Sequence, residues 1–282
     1  MPAHAGSFYP GDKEELIRAI EEAFLHPLGP GRKPEISENY SGKMIGAMVP
    51  HAGYIYSGHV AAHAYLRIAE TGKPEVVFII GPNHWGYGAP IALDESESWV
   101  TPLGEVEVDI ELSKELATRE RLLRFDFTAH RYEHSLEVQV PFLQYIFGND
   151  FKIVPITMML QTPEASQRVG KTISDIIEEH GLKSYVLASS DMSHYVEAKI
   201  AREKDKMALD KVLSLDDEGL YTVVIEEDIS MCGVGPVMTL INVGKRLGFR
   251  NVKLLKYANS GDVTGDYSQV VAYASVSFEK ED

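Results

Sequence analysis

From residue 44 onward, short runs of almost wholly apolar residues alternate with longer segments whose apolar positions recur at helical spacing. Met44–Val49, Val76–Ile80, Phe151–Met159 and Tyr185–Ala188 have the length and near-continuous hydrophobicity of strands buried on both faces. Between them, Gly58–Ala69, Ile110–Thr118, His134–Phe147, Pro163–His180, Glu197–Leu213 and Pro236–Leu247 are predicted helices. An earlier helix starts at Asp12, a capping residue with Glu14 and Glu15 in the first turn, and runs to Leu25. Pro90–Leu93 and Trp99–Asp109, separated by acidic turn residues, are predicted to pair as a hairpin. Val252–Tyr257 and Val270–Phe278 read as closing strands, and residues 27–42 are a Pro/Gly-rich loop. Such alternation predicts an α/β fold: a mostly parallel sheet with helices on both faces, three layers in all. No shift in composition marks a boundary, so residues 1–282 are expected to form a single domain.

Composition narrows the partners. The chain of 282 residues carries 27 Lys+Arg against 42 Asp+Glu, a net charge of −15, which disfavours a phosphate backbone as ligand and argues against nucleic acid. No apolar run reaches the ~20 residues that span a bilayer, and Met1-Pro2-Ala3-His4 has no signal-peptide character, so no membrane is expected and the location is read as cytoplasmic. A single cysteine excludes an internal disulfide and fits a reducing compartment.

Histidines follow three of the apolar runs. Met44–Val49 leads into Pro50-His51-Ala52-Gly53-Tyr54, Val76–Ile80 into Gly81-Pro82-Asn83-His84, and Tyr185–Ala188 into Ser189-Ser190-Asp191-Met192-Ser193-His194. In open α/β sheets, ligand sites lie at the carboxyl ends of the strands, so these turns are expected to converge, and a mononuclear metal is the first occupant to consider. Each histidine alone is as readily a hydrogen-bonded core residue as a ligand. Asp191 and His194, three apart, would face one pocket if a helical turn began there, with His194 as general acid–base and Asp191 as its orienting group; alternatively Asp191 and Ser189 cap the next helix. His134 and Glu137 share one face of a predicted helix. His59 and His63 are four apart but lack a zincin glutamate and are read as structural. Neither a serine-hydrolase elbow nor a dinucleotide or P-loop glycine motif is present.

Taken in order, His4-Ala5-Gly6-Ser7-Phe8-Tyr9, Pro50-His51-Ala52-Gly53-Tyr54, Gly81-Pro82-Asn83-His84, Glu133-His134-Ser135-Leu136-Glu137, Ser189-Ser190-Asp191, His194 and Cys232-Gly233 resemble the Memo family across essentially the whole chain. The resemblance implies an α/β domain similar to the catalytic subunit of class III extradiol dioxygenases, which hold Fe(II) with two histidines and a carboxylate. By motif, His51 and His84 would be the histidine ligands and His194 the acid–base group, with Asp191 beside it or itself supplying an oxygen ligand to the metal. Where those enzymes place a glutamate, this chain has Cys232. A thiolate moves metal preference toward Cu, Zn or thiolate-ligated iron, so Fe(II) is the leading cofactor, with Cu or Zn next.

Three functions follow. The first is a metal-dependent redox protein using His51, His84 and Cys232. The second is a binding module for a small molecule or a phosphotyrosine-type peptide, with Tyr54, Asn83 and His134 as recognition groups. The third pairs Cys232 as nucleophile with His194, and leaves His51 and His84 unexplained. The resemblance also brings radical-SAM and AMMECR-type proteins as expected partners.

Overall fold

A computed structural model describes residues 2–281. The chain runs α1 (Lys13–Leu25), β1 (Met44–Val49), α2 (Tyr54–Thr71), β2 (Val76–Pro82), β3 (Ile91–Leu93), β4 (Ser98–Thr101) and β5 (Gly104–Val108). It continues through α3 (Ile110–Arg119), β6 (Leu123–Phe125), α4 (Phe127–His130), a single 3-10 turn at Glu137–Gln139, α5 (Val140–Phe147), β7 (Lys152–Met158), α6 (Pro163–His180) and β8 (Ser184–Ser189). Then come β9 (His194–Val196), α7 (Ala198–Leu213), α8 (Asp217–Glu226), α9 (Val234–Leu247), β10 (Asn251–Asn259), α10 (Gly261–Thr264) and β11 (Val270–Glu279).

The main sheet has the order β10-β11-β1-β8-β2-β7-β3-β6. Its centre, β1, β8, β2 and β7, is parallel, while β11 and β3 flank it antiparallel. Residues alternate between the two faces as a pleated strand requires. In β2, Phe78 and Ile80 pack with α6, α7 and α9 on one side, while Val77 and Ile79 pack with α1, α2 and α5 on the other. The sheet is therefore the middle of three layers, as the alternating pattern predicts. Local chemistry sets the helix ends. Asp12 accepts from Glu14 N and Glu15 N to start α1, and α6 begins on Thr162 and Pro163 and stops at Gly181 in the left-handed conformation.

Three local expectations are corrected. The hairpin is β4 with β5; Ile91–Leu93 instead pairs with β7 and β6, because an all-apolar triplet is buried better inside the main sheet than on a hairpin. No helical turn starts at Asp191: residues 190–193 are extended coil leading into β9, and α7 begins at Ala198. Finally, two helix starts shift: α2 begins four residues before Gly58, directly after Gly53, and the helix expected from His134 starts only at Val140, after a 3-10 turn at Glu137–Gln139, so His134 and Glu137 share no helical face.

This topology creates one site. Val49 is in register with Ser189, and Ile80 with Ala188, so β1, β8 and β2 end together and deliver their following turns to a common edge. Close approach there depends on glycine. A Cβ at Gly81 would meet Ser135 Oγ at 2.5 Å, so the 133–139 segment can lie across the end of β2 only because that side chain is absent.

Candidate metal centre

His51 leaves β1 buried at 2 % exposure, with both ring nitrogens engaged. Ser189 Oγ donates to Ser135 O at 2.7 Å, so it accepts from His51 Nδ1–H at 2.9 Å. The lone pair is thereby placed on Nε2, where Cys232 Sγ lies at 3.2 Å and Asp191 Oδ2 at 3.9 Å. Asp191 Oδ1 also accepts from His51 N–H at 2.8 Å, which ties the turn after β1 to the turn after β8. Burial, reinforced by His84, holds the His51 pKa well below its ordinary value, so the ring is neutral and available as a donor ligand.

His84 is fixed from behind by Glu133. The carboxylate accepts from His84 N at 2.7 Å and from Nδ1–H at 2.9 Å, and also from Ser135 N at 2.9 Å. Such a carboxylate–imidazole pair selects the tautomer with its lone pair on Nε2, the outer nitrogen. Burial works to raise the Glu133 pKa, but the His84 bonds outweigh it and bring it to about 2.

His134 completes a group whose ligand nitrogens all lie within 4.8 Å of one another: His51, His84 and His134. Ring orientation separates them. The His51 ring is turned 80° from His84, so their in-plane lone pairs can meet. His134 is stacked on His84 at 4.8 Å with only 20° between the planes, and on Phe8 at 4.2 Å. In-plane lone pairs on nearly parallel rings do not converge on one point, so His134 is a wall of the site rather than an evident partner of His84. Burial first, then the closeness of His51, with which it cannot share a second positive charge, lowers its pKa to about 3.

Cys232 enters from the turn before α9, half-buried, and its Sγ accepts from Asp191 N at 3.3 Å. Burial and then the Asp191 charge push its thiol pKa up, so the metal-free sulfur is protonated at neutral pH. That disfavours the thiol-nucleophile reading. Gly233 makes the approach feasible: a Cβ there would sit 2.3 Å from Ser189 O. His194 lies beside this group, its Nδ1–H donating to Ser230 O at 2.9 Å, which leaves a lone pair on Nε2. The adjacent Tyr195 is left-handed (φ 57°) and 72 % exposed.

The remaining expected ligand contacts are occupied locally. Tyr54 is buried and its hydroxyl donates to Val138 O at 2.6 Å. The Asn83 side chain organises its own turn, donating to Tyr87 O and accepting from Trp85 N and Gly86 N. Two functional supports escape sequence reading. Glu133 appears in a motif with nothing linking it to a histidine 49 positions earlier. Glu137 is the clamp of the N-terminal segment, accepting from Ala3 N, His4 N and Tyr9 OH, and so presses Phe8 onto His134.

Comparison with known proteins finds relatives along the whole chain. A family described as "Memo-like protein" matches residues 1–277. A MEMO1 family protein of Ignicoccus hospitalis is 51% identical over 277 residues, covering 98% of this chain and 97% of that one. MEMO1 family proteins of Sulfurisphaera tokodaii and Pyrobaculum aerophilum are 48% and 49% identical, with 98% or more of each chain covered. Among solved structures, an uncharacterized Escherichia coli K12 protein superposes with a TM-score of 0.55 over 84% of this chain and 100% of its own. At 11% identity it is a relative in fold alone.

Proposed function

The chain belongs to the Memo family, and from that premise we propose that it is a mononuclear metal protein of redox type, holding iron, or failing that copper, through His51, His84 and Cys232. The observation that carries this reading is the meeting of a buried imidazole, His51, and an exposed one, His84, whose tautomers are both fixed with the lone pair outward, one by Ser189 and one by Glu133; the Cys232 sulfur stands 3.2 Å from the first, outside the 4.8 Å group of three histidines, and would close on a bound ion from there. Two imidazoles and one thiolate are a donor set suited to iron or copper. A bound ion of that kind would supply one-electron chemistry and a coordination position for a small substrate or oxidant. The protein's own residues do the rest. Asp191 fixes the His51 turn, Phe8 backs the His134 wall beside His84, and His194 Nε2 accepts or returns a proton.

Reconstitution under anaerobic conditions tests this. Wild-type protein is expected to take up about one Fe(II) per chain, and His51→Ala and Cys232→Ser to lose it, while His134→Ala retains it. Unchanged iron uptake by the His51→Ala/Cys232→Ser double variant contradicts the assignment.

A second reading, capture of a peptide or flat ligand, draws on the exposed aromatic residues that neighbour the site residues: Trp85, Tyr132 and Tyr195. It predicts ligand affinity that survives chelation of the metal, whereas the metalloprotein reading predicts its loss.

A further inference from the structure

Tyr9, Tyr54, Tyr65, Tyr185 and Tyr273 are the buried tyrosines among the described residues. Four of them give the hydroxyl to the protein: Tyr9 to Glu137, Tyr54 to Val138 O, Tyr65 to Gln139 Oε1 and Tyr185 to Gly72 O, at 2.6 or 2.7 Å. Tyr273, only 2 % exposed, gives its hydroxyl to no protein atom. Among the described residues, the buried side-chain atoms sealed from solvent without a partner belong to His4, His59, His130, Thr157 and Ser184. The Tyr273 oxygen is not one of them, so it opens on solvent from an otherwise buried ring. Buried polar groups are nearly always paired, so this hydroxyl calls for a partner from outside.

Its place in the fold indicates which. Tyr273 lies in β11, and the preceding Ala272 bonds the segment that follows Asp191: Ala272 O accepts from Met192 N at 2.8 Å, and Ala272 N donates to Ser193 O at 2.9 Å. The Tyr273 ring shares a cluster with Val60 of α2 and Ala258, against which Ala52, the neighbour of His51, packs. Tyr273 is thus held between the turns that deliver His51 and Asp191. Burial first, then the Asp191 charge, then Tyr56 and Tyr195, raise the phenol's pKa, so it stays protonated and donates at neutral pH. Asp191 Oδ1 is taken by His51 N–H, while Oδ2 accepts no bond from the protein and stands 3.9 Å from His51 Nε2. An unused acceptor beside the His51 nitrogen therefore has an unused donor for a neighbour.

On the metal reading above, we propose that Tyr273 is a further ligand-binding residue of this centre, its O–H donating to a small anion that takes the metal's open position and keeps a free lone pair. Tyr273 then acts as a selector. Ligands that still present an acceptor after coordinating gain a charge-assisted hydrogen bond, and those that do not gain nothing.

Two measurements test this. In metal-free protein, Tyr273→Phe removes no hydrogen bond, so its urea midpoint is expected to match wild type, whereas that of Tyr185→Phe, which loses the bond to Gly72 O, falls. A midpoint lowered as much by Tyr273→Phe would show an internal partner and overturn the proposal. In protein reconstituted with iron and oxidised to the ferric state, azide is titrated on its charge-transfer absorption. Tyr273→Phe is expected to load iron as wild type does and to weaken azide about tenfold or more. Imidazole, whose second nitrogen carries a hydrogen once the first coordinates, is expected to bind both proteins alike. Equal azide affinity at equal iron content, or an equal loss for imidazole, overturns the proposal and leaves the metal reading standing. Wild-type protein that takes up no iron removes the metal reading, and this role of Tyr273 with it.

Discussion

Replacing Glu133 by Gln changes one atom's chemistry and should reach the metal through His84. The carboxylate is 3 % exposed and accepts three N–H groups: Ser135 N and His84 Nδ1 on one oxygen, His84 N on the other. A glutamine keeps two of these best by placing its carbonyl where the doubly bonded oxygen was. Its NH2 then faces the His84 backbone N–H, donor against donor. Losing one charge-assisted bond and creating that clash should destabilise the metal-free protein by about 2 kcal/mol. Loss of the carboxylate behind the imidazole should weaken metal binding by about 10–100-fold, or about 1.4–2.7 kcal/mol. The assay is a chelator-competition titration beside urea unfolding, both at neutral pH. That pH suits the comparison, since a carboxylate depressed to about 2 contributes its stability above the ordinary carboxylate range and loses it only as pH falls toward that value. Stability lowered as expected with metal affinity within about twofold of wild type would refute the reasoning, because Glu133 would then only hold a loop.

Further outcomes follow from the same geometry. Because the Cys232 thiol is protonated in the metal-free fold and His51 is already neutral, metal binding should release the thiol proton and tighten as pH rises through neutrality. Cys232→Ser should abolish that slope, and a flat wild-type profile would remove the thiol from the ligand set. Gly233→Ala would bring a Cβ to 2.6 Å from Ser190 Cβ and force the Cys232 turn outward, so about 1–3 kcal/mol of stability and most metal affinity should be lost together; affinity unchanged at lowered stability counts against a role for that turn. Asp205→Ala leaves Ser193 N, Ser193 Oγ and Tyr257 OH without their shared acceptor, and should cost about 3 kcal/mol in urea unfolding, with Asp205→Asn milder; a cost below about 1 kcal/mol would show that water replaces it.

Strand ends carried most of what the sequence disclosed. Residues such as Val77–Ile80 are apolar because both faces of their strand are covered, so the pattern names the central strands and, with them, the edge to which His51, His84 and Asp191 are delivered. Asp12, Thr162 and Gly181 mark helix ends by local chemistry and act where they stand. What escaped depends on contacts distant in sequence. Ile91–Leu93 looks the same whether it pairs in a hairpin or joins β7, and only the buried position decides. Ring orientation is invisible in a sequence, so the stacking that sets His134 apart from His51 could not be read. Nor could the reach of Glu133 and Glu137, whose partners lie 49 and up to 134 positions away.

The central claim is that one metal ion is held by two imidazoles and a thiolate. X-ray absorption at the metal edge of reconstituted protein measures it most directly. The account predicts a sulfur neighbour at about 2.3 Å together with imidazole scattering, and loss of the sulfur shell in Cys232→Ser. A first shell of nitrogen and oxygen only, identical in wild type and Cys232→Ser, would contradict it.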